Sequence, residues 1–225
     1  MVKTEGNKVS YCAITVDDCF FAITRDEEWI NGATNMLKAV FEEFTVERGE
    51  TINVLGMTVS MERAKGRAVI NQKRFLDNLI TTYGVTKTAV TPATGDLMYE
   101  RENSKLLEDQ RKFMSLNAIL MYASKRTYPE IFFAVVYLSS RYNKATEDDY
   151  AKAMRVAEYI VGCGEKHGLI LSPKSLQFVA KSDASYAEHA DGKSHTGGAV
   201  GFESDYACWF MWLSTKQPVV ALSTC

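Results

Sequence analysis

The organisation of the chain is decided by one stretch near its N-terminus, Ala13-Ile14-Thr15-Val16-Asp17-Asp18-Cys19-Phe20-Phe21-Ala22-Ile23. β-branched residues precede two adjacent acids and aromatic residues follow them, which predicts two strands joined by a hairpin turn. Burial of a lone carboxylate is costly, so paired acids among strand formers indicate a bound cation. We therefore predict that Asp17 and Asp18 face one metal ion, although the same residues also fit a simple polar turn.

The composition of the 225 residues narrows the class of protein. No apolar run reaches the length of a transmembrane helix, and the N-terminus lacks a signal-peptide core. The five cysteines form no CxxC pair, which favours free thiols over a disulfide framework or a zinc site. We expect an intracellular protein, cytoplasmic or nuclear, with no membrane partner.

Charge is distributed unevenly along the chain, although the formal net charge is only −2. Residues 1–60 hold 5 basic and 10 acidic side chains, for a net −5, and residues 182–225 hold 2 and 5, for a net −3. Residues 61–181 hold 19 basic and 13 acidic side chains, for a net +6. A basic middle between acidic ends is typical of a polyanion-binding segment beside carboxylate metal sites. An ordinary solvated helical surface also fits this pattern.

Hydrophobic periodicity predicts β-structure and one helix in the first 70 residues. A capping box at Thr24 precedes apolar residues at helical spacing, which predicts a helix over about 26–44. From Thr51 the period changes to two, and a turn at 64–66 leads into another apolar run, which predicts a second hairpin. Within it, Gly56 allows another group to approach the backbone closely.

The middle of the sequence is predicted to be helical. Asn71 is predicted to cap a helix that ends at Gly84, and residues 85–109 are predicted to form a loop. A second helix is predicted over about 110–124. A third is predicted to begin at Pro129, and a fourth after the cap residue Thr146. Three short strands are predicted at 176–180, 198–202 and 208–212. We expect Trp209, Phe210 and Trp212 to be exposed and these strands to be the least stable part of the protein.

Several short motifs resemble, in matching order, the Pol polyprotein of copia-type LTR retrotransposons. They are Thr15-Val16-Asp17-Asp18, Asn53-Val54-Leu55-Gly56-Met57, Arg126-Thr127-Tyr128-Pro129-Glu130-Ile131, Lys181-Ser182-Asp183-Ala184-Ser185-Tyr186-Ala187, Lys193-Ser194-His195-Thr196-Gly197-Gly198 and Trp212-Leu213-Ser214-Thr215-Lys216-Gln217. They resemble the Tyr-Val-Asp-Asp metal motif, the primer-grip hairpin, the Thr-Arg-Pro-Asp-Ile signature and three elements of the ribonuclease H domain. The resemblance covers nearly the whole chain. Several matches in the right order are also far more specific than any one match alone.

The resemblance implies an α+β fold in three parts. Residues 1–70 would be the C-terminal part of a reverse-transcriptase palm, with β-hairpins, one helix and the primer grip at Leu55, Gly56 and Met57. Residues 71–167 would be a helical thumb or connection region. Residues 168–225 would be the N-terminal part of a ribonuclease H-like sheet, and because the sequence stops where a capped helix would begin, we expect this domain to be truncated.

The implied chemistry is two-metal phosphoryl transfer with Mg²⁺, for which carboxylate oxygens are the suitable ligands. The resemblance makes Asp17, Asp18 and Asp183 catalytic metal ligands, although Asp183 also fits a capping or turn residue. By the resemblance, a third palm carboxylate and a helical Glu of the nuclease would lie outside these 225 residues, and Thr15 stands where the family usually has an aromatic residue. We therefore expect the chain by itself to be inactive as an RNA-directed DNA polymerase and as a ribonuclease H.

Basic residues near the predicted primer grip and helices are candidates for phosphate contacts. These are Lys65, Arg67, Lys73, Arg74, Lys125 and Arg126, and scattered surface charge is the alternative for each. The implied partners are an RNA/DNA hybrid or primer-template, with deoxynucleotides in the complete enzyme. A non-catalytic nucleic-acid- or protein-binding remnant of a decayed or domesticated element is the competing hypothesis. His189, His195 and Cys208 match no zinc-ligand spacing.

Overall fold

A computed structural model describes residues 2–5, 8–15, 18–23, 27–205 and 208–220. In this part of the chain, five α-helices combine with three small antiparallel sheets, so the mixed α+β class predicted from the sequence is confirmed. The chain divides into two compact units, Met1–Leu55 and Gly56–Cys225. No described helix has both the length and the apolar character needed to cross a membrane.

The first unit begins with an antiparallel meander. Strands β1 (Val2–Glu5), β2 (Lys8–Thr15) and β3 (Asp18–Ile23) lie in that order in the sheet. Helix α1 (Glu27–Val40) and strand β4 (Thr51–Val54) follow. The helix ends four residues before the predicted Phe44, and the acidic pair that follows Phe41 accounts for this because carboxylates oppose the helix dipole at a C-terminus.

The second unit contains a sheet whose strands come from distant parts of the sequence. Strands β5 (Met57–Glu62) and β6 (Arg67–Asn71) are antiparallel neighbours, and β7 (Leu169–Leu171) pairs with β6. The approach of β7 requires Gly168, because a Cβ atom there would overlap the carbonyl oxygen of Ile70. The pairing of β6 with β7 joins two stretches that the resemblance assigned to different domains. The polymerase and nuclease roles of those domains stay predictions.

Four helices form the core of the second unit: α2 (Lys73–Tyr83), α3 (Gln110–Ser124), α4 (Phe132–Ser139) and α5 (Glu147–Cys163). A 3-10 turn at Pro129–Ile131 leads into α4. The bounds of α3 agree with the prediction, and the predicted cap of α5 is a complete capping box between Thr146 and Asp149.

The predicted cap of α2 is wrong. Asn71 is the last residue of β6, and the N-cap position is Gln72, which makes no side-chain cap hydrogen bond. The Gln72 side chain is buried and accepts a hydrogen bond from the Thr127 hydroxyl at 2.7 Å. A tertiary contact therefore fixes the start of this helix, whereas Gly84 ends it in the left-handed conformation as predicted (φ 64°).

The last sheet has the order β8 (Phe178–Ser185), β9 (His195–Phe202) and β10 (Trp209–Lys216), all antiparallel. Helix α4 packs against β10, and the indole Nε1 of Trp212 donates a hydrogen bond to the Ser124 carbonyl at 2.7 Å. Trp209, Phe210 and Trp212 are half-buried, so the expectation that they are exposed is wrong. The sheet rests on the helical core, which covers part of its apolar surface.

Candidate nucleic-acid and metal-binding sites

The predicted acidic hairpin has its two strands. β2 and β3 are antiparallel, with Thr15 opposite Asp18 at the end of the ladder and Ser10 opposite Ile23. Asp18 is the first residue of β3, whereas Asp17 lies outside the described residues. The strand prediction is confirmed, and the role of both acids as metal ligands stays a prediction.

Asp183 lies on β8, opposite Gly197 of β9. Its side chain is exposed, and its Oδ1 accepts a hydrogen bond from the backbone N–H of Ala184 at 2.9 Å. The strand position agrees with the nuclease interpretation, and the local hydrogen bond agrees with the alternative of a capping acid. Within the described ranges, no group of three candidate ligand atoms includes Asp183.

Of the predicted primer-grip residues, Leu55 and Gly56 form a tight turn between β4 and β5, and Met57 is the first residue of β5. Leu55 and Gly56 both have positive φ angles, 50° and 72°, as in a type I′ turn. A Cβ atom on Gly56 would lie 3.1 Å from the hydroxyl oxygen of Tyr122 on α3. The expectation that another group approaches this backbone closely is confirmed, and that group is the Tyr122 hydroxyl.

Three of the six candidate phosphate contacts are ion-paired within the protein. Lys65 and Arg67 both contact the carboxylate of Glu62, at 2.9 Å and 2.8 Å, and Lys73 contacts Glu165 at 2.9 Å. Hydrogen bonds from Arg67 and then Lys65 lower the pKa of Glu62 to about 2. A phosphate at these positions would have to compete with a carboxylate already in place.

The other three basic candidates have exposed side chains. Arg74 lies on α2, Lys125 follows the last residue of α3, and Arg126 comes next. The Arg126 guanidinium lies over the ring of Tyr122, 5.5 Å from its centroid. The structure thus brings Gly56, Tyr122 and Arg126 together, which the sequence did not predict because the contacts join residues from separate elements.

Two histidines form a buried pair that the sequence analysis missed. His189 Nε2 and His195 Nδ1 are 3.1 Å apart, and His195 Nε2 lies 2.7 Å from the Ser214 hydroxyl. Burial lowers the pKa of both imidazoles. Cys208 is buried too, but in the part of the chain that is described it joins them in no three-ligand group. No spacing signal could have shown that these histidines face one another.

A second group of side chains that could bind a metal ion lies between the 3-10 turn before α4 and the C-terminus of α5. The candidate ligand atoms of Glu130, Cys163 and His167 all lie within 4.8 Å of one another. His167 Nε2 is 2.9 Å from Glu130 Oε1, which also accepts a hydrogen bond from the Tyr159 hydroxyl at 3.2 Å. Burial raises the pKa of the Cys163 thiol, so this thiol is protonated at neutral pH.

Comparison with known proteins supports the class of protein that the motifs indicate: the chain is similar to a retrotransposon Pol polyprotein. The relative is the retrovirus-related Pol polyprotein from transposon RE2 of Arabidopsis thaliana, which is 26% identical over 226 residues. The alignment covers 99% of this chain but only 15% of that protein, so the chain spans a small part of its relative. No protein-family model and no solved structure matches the chain.

Proposed function

We propose that the chain is a piece of a copia-type reverse transcriptase and ribonuclease H, and that it binds an RNA/DNA hybrid or primer-template. One observation carries the proposal: the similarity to a transposon Pol polyprotein extends over 99% of the chain. The order of the polymerase-like and nuclease-like motifs supports the finer assignment. Residues 1–70 are then palm, 71–167 thumb or connection, and 168–225 the start of the nuclease.

In the complete protein, Asp17 and Asp18 would hold the polymerase Mg²⁺ ions and Asp183 the nuclease ions. Aspartate oxygens suit this hard cation, and two ions about 4 Å apart stabilise both the attacking and the leaving oxygen of a phosphoryl transfer. The incoming deoxynucleotide would be the substrate of the first centre, and the RNA strand of a hybrid that of the second. We propose that the 225 residues alone do not complete either centre.

The exposed basic residues near Tyr122 are the proposed contact surface for the nucleic-acid backbone. Arg126 lies over the ring of Tyr122, whose hydroxyl approaches Gly56, a residue for which the resemblance implies a role at the primer terminus. Lys125 precedes Arg126 in the chain and is also exposed. Phosphate contacts of this kind do not depend on base sequence, and they weaken as salt replaces the released counterions. Lys65, Arg67 and Lys73 contribute less because carboxylates already neutralise them.

Binding of a fluorescent RNA/DNA hybrid, followed by anisotropy at several salt concentrations, tests this proposal. We expect the logarithm of the affinity to fall linearly with the logarithm of the salt concentration. Arg126→Ala and Lys125→Ala should each weaken binding and reduce the salt slope by about 1. Lys174→Ala is the matched control, since Lys174 is an exposed lysine paired with Asp205. An affinity that does not change with salt would refute the proposed surface. So would a Lys174→Ala variant that weakens binding as much as Arg126→Ala and Lys125→Ala do.

Primer extension on a poly(rA)–oligo(dT) hybrid with Mg²⁺ tests the proposed inactivity. We expect no incorporation by the 225-residue chain, because a two-metal centre needs more carboxylates than Asp17 and Asp18 supply. Asp17→Asn is the decisive control. Incorporation by the wild-type chain that disappears in this variant would show that the chain holds a working polymerase centre.

A further inference from the structure

We propose that Glu130, Cys163 and His167 form a binding site for Zn²⁺ or a similar thiophilic divalent ion. The site shares no residue with the predicted ligand set Asp17, Asp18 and Asp183, and it does not depend on the proposed polymerase or nuclease function. Its basis is the convergence of three different ligand types, whose donor atoms all lie within 4.8 Å of one another.

The set of donor atoms selects the metal. A thiolate sulfur and an imidazole nitrogen favour Zn²⁺ over Mg²⁺, which prefers oxygen ligands alone. Bond lengths of about 2.0–2.3 Å around tetrahedral Zn²⁺ place its ligand atoms roughly 3.3–3.8 Å apart. The ligand atoms therefore need shifts of about an ångström or less, which side-chain rotation can supply.

The backbone on both sides of the site is held in place by packing. Glu130 lies in the 3-10 turn next to the fully buried Ile131. The His167 ring stacks on that of buried Tyr128, with centroids 4.6 Å apart and planes inclined by 19°. The close contact of Gly168 with β6 fixes the segment that carries His167. Such support reduces the conformational entropy that metal binding would otherwise remove.

The hydrogen bonds now present in the cluster define what the metal must replace. The contact between His167 Nε2 and Glu130 Oε1 would give way to two bonds to one ion. The Tyr159 hydroxyl can continue to donate to the Glu130 carboxylate, as an outer-shell partner that orients a ligand. Binding converts the Cys163 thiol to a metal-bound thiolate and releases its proton to solvent. A water molecule would complete a tetrahedral set.

Titration of the full chain with Co²⁺, and then displacement by Zn²⁺, tests the site. We expect one ion per chain, a thiolate-to-cobalt charge-transfer band, and loss of that band when Zn²⁺ is added. Zn²⁺ should also raise the thermal unfolding temperature, because it binds the folded state preferentially. Stoichiometric binding without a thiolate band would overturn the proposal.

Variants separate this site from other metal-binding side chains. Cys163→Ser and His167→Gln should each lower the affinity for Zn²⁺ at least about tenfold. Cys19→Ser and His189→Gln are matched controls that remove an exposed thiol and a buried imidazole elsewhere, and both should leave the affinity unchanged. Affinity retained in Cys163→Ser, or lost in His189→Gln, would contradict the assignment.

Alkylation of the wild-type chain gives the same answer without any substitution. Mass spectrometry of digested protein should show that Zn²⁺ slows the modification of Cys163 and leaves that of exposed Cys19 unaffected. This comparison remains decisive if the Cys163→Ser variant fails to fold. Equal reactivity of Cys163 with and without Zn²⁺ would refute the site.

Discussion

The helical core and the C-terminal sheet of the second unit bury their side chains to very different extents. Leu79, Phe113 and Leu120 in the helices are completely inaccessible to solvent. In the sheet, Phe178 is 69% exposed and Met211 61% exposed. The helices thus supply one another with apolar partners, whereas the sheet depends on contact with α4 and leaves other apolar side chains in water.

This difference locates the stability of the second unit in the helices. Buried apolar surface contributes roughly 25 cal/mol per Å², so the helical core accounts for most of the hydrophobic free energy. Regions with fewer buried contacts open locally at a lower free energy than the global unfolding transition. We therefore expect β8–β10 to exchange amide hydrogens faster than α3 and α5, in agreement with the low stability predicted for the C-terminal strands.

The largest expected effect is the loss of a buried ion pair in the helical core. Asp149 accepts hydrogen bonds from Arg141, at 3.3 Å, and from the Thr146 backbone N–H, at 2.8 Å. Asp149→Ala leaves a buried guanidinium with one carboxylate fewer and removes half of the capping box. We expect the free energy of unfolding to fall by about 3–5 kcal/mol, measured by urea denaturation.

Glu165→Gln is the control for that substitution. Glu165 pairs with Lys73, and both side chains are 56% exposed, so solvent already screens the interaction. This variant should be as stable as the wild type. If Glu165→Gln lowered the free energy of unfolding as much as Asp149→Ala does, burial would not explain the contribution of the Asp149 ion pair to stability.

The next effect is the opening of a cavity in α3. Leu120 is fully buried among the helices, and Leu120→Ala should lower the free energy of unfolding by about 2–5 kcal/mol. Leu213→Ala removes the same atoms from β10, where the side chain is 51% exposed, and should cost well under 1 kcal/mol. Similar losses in the two urea transitions would contradict the contrast between the core and the sheet.

Local signals predicted the helices better than the sheets. Helix α3 has regular apolar spacing together with Asp109, which accepts hydrogen bonds from two N–H groups of its first turn. Thr146 and Asp149 are likewise recognisable from four consecutive residues. Strand β7 has only three residues, and its partner β6 lies about a hundred positions earlier, so no local pattern marks it.

The candidate sites divide in the same way. The strands on either side of the acidic pair follow from β-branched and aromatic residues in short segments. The strand predicted at 176–180 extends to Ser185 in the structure and so includes Asp183, which only the resemblance had placed on a strand. The contact between Gly56 and Tyr122, the histidine pair and the group around Cys163 join residues from separate elements. These residues come close together only when the helices pack. Their spacing along the sequence therefore does not reveal the contacts.

A smaller effect is expected where the sheet meets the helical core. Trp212→Phe keeps an aromatic ring but removes the indole N–H that donates to the Ser124 carbonyl. Loss of this hydrogen bond should cost about 1 kcal/mol and speed amide exchange in β10 about fivefold, with little change in α5. Trp209→Phe is the matched control in the same strand. Faster exchange in the control than in Trp212→Phe would argue against this anchor.

The smallest effect near neutral pH concerns the histidine pair, which lies where α4 contacts the sheet. Phe133 of α4 packs edge-on against His195, with centroids 4.8 Å apart, and the Tyr137 ring is roughly parallel to that of His189. Burial lowers the pKa of both imidazoles below the ordinary 6.5, so the folded protein keeps them neutral where the unfolded chain binds protons. Their contribution to stability is complete above that pH and is lost as the pH falls below it.

Urea denaturation at a pH of about 7.5 and about 5.5 measures this contribution. We expect the wild type to lose stability on acidification and the double variant His189→Gln, His195→Gln to lose less. Trp209→Phe is the control, because it changes the same sheet without removing a titratable group and should keep the wild-type dependence on pH. A double variant that loses as much stability as the wild type would show that other groups set the acid sensitivity. If the double variant does lose less, and exchange at low pH speeds up in β9 before α3, protonation first releases the sheet from α4.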